Sequence, residues 1–194
     1  LNLDMKVRDS GMPEFRYWES LFDIELILDK MEIDSNLSFL VEFGSGYGTF
    51  TLPVAKKIGG KILALDIDEE MIQFSSKRAS EERLTNIEFL VRDFIAEGTG
   101  LPESSAEYVM LFNILHHESP EEILSESYRI LKPNGKLGAI HWMYDVNTPR
   151  GPKMEIRPKP KELLDRIENA GFQISNPKLR QLKPWHYGIL GIKK

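Results

Sequence analysis

The chain has 194 residues, 41% hydrophobic and 28% charged, the make-up of one ordinary globular α/β unit and too little for two of usual size. It has no cysteine, which rules out disulfides, thiolate metal sites and cysteine nucleophiles, and fits a reducing, cytoplasmic setting. A net charge of −5 gives no basic footprint for nucleic acid, no apolar run is long enough to span a bilayer, and Leu1–Arg16 lacks a signal-type apolar block. A small-molecule partner is therefore favoured.

The chain opens with a preamble, residues 14–31, in which Leu21, Ile24, Leu28 and Met31 recur at helical spacing. From Phe39 onward, β-type apolar runs alternate with amphipathic helices, the pattern of a parallel sheet with crossover helices. Phe39–Phe43 is the first strand, followed by a glycine turn and a helix over Thr51–Ile58. Lys61–Asp66 is the second, and Asp68 caps a helix with Glu69 and Glu70 in its first turn. Ile87–Val91 and Tyr108–Phe112 are the third and fourth. Ser119-Pro120-Glu121-Glu122 then reads as a capping box for a helix ending at Leu131, and Lys132–Gly135 turn the chain into a fifth strand, Lys136–Trp142. A helix from Lys161 to Gly171 leads to two final strands, Phe172–Leu179 and Trp185–Ile192. Only five residues separate them, too few for a crossover helix, so this pair must be antiparallel. Residues 145–160 are loop-like and proline-rich, and Arg150, Lys153, Arg157, Lys159 and Lys161 in this region outnumber Asp145 and Glu155. That excess could hold an anionic substrate; a solvated loop is the commoner reading.

Gly44, Gly46 and Gly48 stand at alternate positions straight after the first strand, where a ligand needs a backbone without Cβ atoms in the way. Dinucleotide enzymes use G-x-G-x-x-G at this turn, whereas here Thr49 occupies the place of the third glycine. Asp66 ends the second strand, where a carboxylate can accept both ribose hydroxyls of an adenosine. Asp93 follows the third strand and can accept from an adenine amino group, with Phe94 near the ring. Each acid alone is more often a turn former or helix cap, but at consecutive strand ends beside a glycine loop the two land on the edge where open α/β sheets bind ligands. Because the Asp66 carboxylate faces the ligand, its removal is expected to leave folding nearly untouched.

With these residues the chain resembles the class I S-adenosylmethionine (SAM)-dependent methyltransferases over about Leu37–Ile192, near their ubiquinone/menaquinone-biosynthesis-like branch, whose members methylate many small molecules. Glu42-Phe43-Gly44-Ser45-Gly46-Tyr47-Gly48 resembles their glycine motif and Leu65-Asp66 their ribose acid. Asp93 resembles their adenine-side acid, Asn113–His117 the segment after their fourth strand, and Arg129–Gly135 their helix-to-strand turn. Glu107 departs from the Asp that often opens that fourth strand. The resemblance implies a Rossmann-like three-layer sandwich whose seven-stranded, mostly parallel sheet has the order 3-2-1-4-5-7-6 and an antiparallel last strand. It implies one domain over 1–194, with 1–33 as a helical lid and 145–160 as a loop near the substrate side. It also implies SAM as cofactor, S-adenosylhomocysteine as product and no metal, with Glu42, Gly44, Ser45, Gly46, Gly48, Asp66, Ile67, Met71, Asp93, Phe94 and Asn113 around the cofactor.

The acceptor side is less explicit. His116 and His117 leave the fourth strand at the pocket mouth and have the near-neutral pKa of a base, should the acceptor need deprotonation. His186 is a second option. Tyr17, Trp18, Trp142 and Tyr144 would wall a partly apolar pocket, although an aromatic cluster is more often core. The alternatives to a methyltransferase are a SAM-binding domain without turnover and a nucleotide-dependent oxidoreductase.

Overall fold

A computed structural model describes residues 12–117 and 119–194, so the first eleven residues of the expected 1–33 lid lie outside the described residues. The elements in chain order are α1 (Phe15–Glu19), α2 (Ile24–Lys30), β1 (Phe39–Phe43), α3 (Thr51–Lys57), β2 (Lys61–Asp66), α4 (Glu69–Glu81), β3 (Ile87–Val91), β4 (Ala106–Phe112), α5 (Pro120–Ile130), β5 (Leu131–Trp142), α6 (Pro160–Asn169), β6 (Phe172–Ile174), β7 (Arg180–Leu182) and β8 (His186–Lys193). They form one open sheet in the order β3-β2-β1-β4-β5-β8-β6, with β7 also on β8. Strands β1 to β5 are parallel, and β8 runs antiparallel to β5.

Period-two alternation in the central strands feeds two apolar layers. Leu40, Ile62, Ala64, Tyr108 and Met110 face a layer completed by Ile27, Leu28, Val54 and Leu190. Val41, Leu63, Leu65, Val109 and Leu111 face the other, completed by Ile123, Leu124, Leu163 and Ile167. Both faces of β1, β2 and β4 are thus buried, which is why these strands read as mainly apolar runs rather than as apolar–polar alternation. The strand order reverses between β1 and β4, so loops at their carboxyl ends diverge and open a crevice there.

Four boundaries differ from the sequence reading. The preamble is two helices, because Asp23 accepts from the Leu26 amide and starts α2 afresh. The expected sixth strand is split: β6 and β7 pair with opposite ends of β8, and after a last bond from the Ser175 amide to the Leu190 carbonyl, residues 176–179 leave its edge. This split makes eight strands where seven are expected. Strand β5 begins at Leu131, with Ala106 opposite Leu131 and Tyr108 opposite Lys136, so 132–135 bulge out. Finally, the Ser119 hydroxyl does not cap α5. The Ser119 amide donates instead to His117 Nδ1 at 3.2 Å, and Pro120 still opens the helix.

Candidate functional site

The crevice holds a cavity of about 410 Å³. One end is made by the glycine loop and the carboxyl ends of β2 and β3; the other by Trp18, the 113–117 segment, Trp142 and residues 150–156.

At the first end, the turn after β1 is held against β2: the Gly44 and Ser45 amides both donate to the Leu65 carbonyl, at 2.8 and 3.0 Å. Gly46 has φ +51, a left-handed backbone that a side chain rarely adopts, and a Cβ there would come within 3.3 Å of Met12. Its amide donates to the Asp66 carboxylate at 2.7 Å, and the Asp68 amide donates to the same group at 3.0 Å. Burial pushes the Asp66 pKa up, and these two backbone donors pull it back. Asp93 accepts from the Ile95 and Ala96 amides, and Phe94 packs edge-on against Phe43 at 5.0 Å.

Buried polar atoms normally have partners. Here Ser45 Oγ, Thr49 Oγ1 and both polar side-chain atoms of Asn113 have none among the described residues, and all three residues line the cavity. Asn113 is held at φ +58 while its backbone amide donates to the Ile140 carbonyl, so its placement is fixed by β5. Donors and acceptors on and beside a glycine-rich turn, with acids at the ends of β2 and β3, match the mixed polarity of SAM. The residues present fit that group.

Of the residues expected around the cofactor, Gly44, Ser45, Gly46, Asp66, Ile67, Asp93, Phe94 and Asn113 line the cavity. Glu42, Gly48 and Met71 do not. Glu42 is buried behind the loop, accepts from the Thr51 hydroxyl, and is pushed up to about 8 by burial. Gly48 packs against Leu52 and Ser75. Thr49, Phe50, Arg92 and Phe112 line the cavity without having been singled out. For Thr49 and Phe112 the signal was present, since they end the glycine turn and the fourth strand.

At the other end, Trp18, His116, His117 and Trp142 line the cavity, whereas Tyr17, Tyr144 and His186 do not. Tyr17 and Tyr144 are exposed, the latter under the Lys159 ammonium. His186 lies in the core, stacked on Phe22 at 4.7 Å and beside Trp142 at 4.2 Å, with its ring nitrogens unpartnered among the described residues and its pKa lowered to about 3 by burial. Alternation along β8 instead turns the Tyr187 hydroxyl to the Pro158 carbonyl. His116 Nδ1 lies 3.4 Å from Nε2 of the fully buried His141, which sequence reasoning missed. Burial lowers His116 to about 4, so it is neutral near pH 7 and weakly basic. His117 Nδ1 accepts from the Ser119 amide, so that nitrogen carries no proton.

The 145–159 loop is gathered around Arg157, which is 7% exposed. Its guanidinium donates to the carbonyls of Met143, Asp145, Arg150 and Pro152 and to the Thr148 hydroxyl. Gly151 thereby lies against Trp142 so closely that a Cβ would come within 2.8 Å of the indole. This is how Arg150, Gly151, Pro152, Lys153 and Ile156 come to line the cavity.

The N-terminal segment is tied to the glycine loop. The Tyr47 hydroxyl donates to the Pro13 carbonyl at 2.9 Å, and Phe15 packs on Tyr47 and Phe74. Arg78 lies over the Phe15 ring while bonding the Tyr47 carbonyl and Glu19.

Residues 40–135 match the sequence pattern of a methyltransferase domain family. Among curated proteins, the chain is 32% identical over 123 residues to an uncharacterized methyltransferase-like protein of Schizosaccharomyces pombe, covering 63% of this chain and 45% of that one. It is 30% identical over 134 residues to a ubiquinone/menaquinone biosynthesis C-methyltransferase of Rickettsia prowazekii, covering 66% and 50%. The chain thus spans about half the length of the curated relatives it matches. Among solved structures, a SAM-dependent methyltransferase from Aquifex aeolicus superposes with a TM-score of 0.81 at 23% identity, covering 98% of both chains.

Proposed function

Because this chain belongs to the class I methyltransferases and groups with their quinone-biosynthesis-like branch, we propose that it binds SAM along the glycine loop and methylates a small, partly apolar acceptor at the Trp18–Trp142 end of the cavity. The observation that carries this reading is the set of polar atoms on Ser45, Thr49 and Asn113 that have no partner among the described residues, on and beside a glycine-rich turn. SAM supplies a methyl group on a positively charged sulfur, ready for displacement by an acceptor lone pair.

In this reading, Asp66 and Ile67 would hold the ribose, Asp93 and Phe94 the adenine, and Gly44, Gly46, Ser45 and Asn113 the amino-acid end. Glu42 and Gly48 would act from behind, by setting the position of the loop. The α1 segment would form part of a lid, and 145–159 one wall of the acceptor site. Catalysis would come chiefly from orientation, since His116 is too weakly basic to deprotonate an ordinary alcohol, and its role is to hydrogen-bond the acceptor. No helix among the described residues is long and apolar enough to cross a membrane.

Titration calorimetry tests the reading. SAM and S-adenosylhomocysteine are expected to bind and to raise the melting temperature, and NAD is expected to do neither. An isotherm with NAD and none with SAM would overturn it.

A further inference from the structure

The apolar and charged linings of the acceptor end are not distributed evenly. Trp18, Phe50, Phe112 and Trp142 make an apolar wall, while Arg150 and Lys153 stand on the facing loop. The acids lining the cavity, Asp66 and Asp93, belong to the cofactor end, and among the described residues none lines the acceptor end. Lys153 makes no ion pair among the described residues, in a chain whose net charge is −5. The loop is also ordered before any ligand arrives, because Arg157 is consumed by carbonyl oxygens and Gly151 seats against Trp142. Two cations held on a fixed wall opposite an aromatic one form a two-part recognition surface.

From this juxtaposition we propose that the acceptor is an amphipathic anion: a flat apolar body against Trp18 and Trp142, with a carboxylate-class group held by Lys153 and lying in the field of the neighbouring Arg150 charge. This inference rests on the cofactor assignment above and specifies its second substrate. Arg157 is not part of the anion site, since its donors already have partners within the loop. The same anionic group would also lie in the field of the sulfonium, so charge would favour assembly of both substrates.

The test uses the whole chain saturated with S-adenosylhomocysteine, titrated by ligand-observed NMR with 2-naphthoate and with 2-naphthamide, which share a ring system and differ in charge. The acid is expected to bind about tenfold tighter at low salt, with that advantage shrinking as sodium chloride is raised, since the site is open to solvent. Lys153→Met combined with Arg150→Gln is expected to reduce naphthoate to the level of the amide and leave the amide unchanged. Equal binding of the two probes to the wild type, binding of neither, or a naphthoate affinity indifferent to the double substitution would each overturn the proposal. S-adenosylhomocysteine titrated first into each protein separates the two readings: failure to bind the wild type would sink the cofactor assignment, whereas its binding there with no preference for the acid would sink only the anion site.

Discussion

Asp66 accepts from two backbone amides as well as facing the cavity, so its loss is felt twice. Asp66→Ala is expected to weaken SAM by roughly 2 kcal/mol, the range of charge-assisted hydrogen bonds. It is also expected to lower the melting temperature by about 2 to 8 °C, at 1 to 2 kcal/mol of lost anchoring and about 2 to 4 °C per kcal/mol in a chain of this size. Calorimetry with SAM and a thermal melt without it separate the effects; an unchanged SAM affinity would mean the ribose lies elsewhere. The sequence reading expects no folding cost, because it places the carboxylate toward ligand alone. What it cannot contain is the Gly46 amide, brought to Asp66 only when β1 and β2 pair. The same limit hides His141: nothing in Ile140-His141-Trp142 distinguishes a pocket partner from a core residue until β4 and β5 set it beside His116. Gly44, Gly46 and Asp66 were legible because their roles depend on local turns and strand ends.

Among the elements, α1 and α2 divide what looked like one helix. No residue of α1 is buried, while α2 buries Ile27 and Leu28, and its terminal Met31 carbonyl accepts from the Tyr108 hydroxyl. Hydrogen exchange is therefore expected to show α2 protected with or without SAM, and α1 protected only with it. Strong protection of α1 in both states would remove the lid role. The 145–159 loop makes the second case. In sequence, Arg157 is one of several basic residues on a proline-rich stretch, and only the fold reveals which one turns inward. Lysine cannot reproduce its planar fork of donors, so Arg157→Lys is expected to increase proteolytic cleavage within 145–157 several-fold with a smaller change in the melting temperature. Unchanged cleavage would show that the prolines alone order the loop.

At the scale of the whole molecule, the ligand-free protein is expected to be most stable near pH 6.5. His116, His141 and His186 are held neutral by burial, with pKa values below their ordinary 6.5. Below pH 6.5 the unfolded chain binds protons at these three that the folded chain refuses, so stability falls with acidity. Glu42 acts in the opposite sense: raised from 4.5 to about 8, it favours the folded state at low pH and loses that contribution as pH rises through 8. Asp66, also raised by burial, acts in the same sense as Glu42, beginning at lower pH. Three histidines against two carboxylates still give a steeper acid limb and a gentler alkaline one. Denaturant melts from pH 5 to 8.5 would check this, and a flat profile would refute burial of the histidines. The sheet also has two unlike ends. β3 closes one end as an uninterrupted five-residue strand, whereas β8 is fringed at the other by the three-residue pieces β6 and β7 with a gap between them. Such a broken margin is a poor template for strand addition. Strand-mediated self-association would therefore have one usable face, β3 against β3 of a second copy, related by a two-fold axis. It would stop at a closed pair, and the chain could not polymerise into a fibre by extending its own sheet.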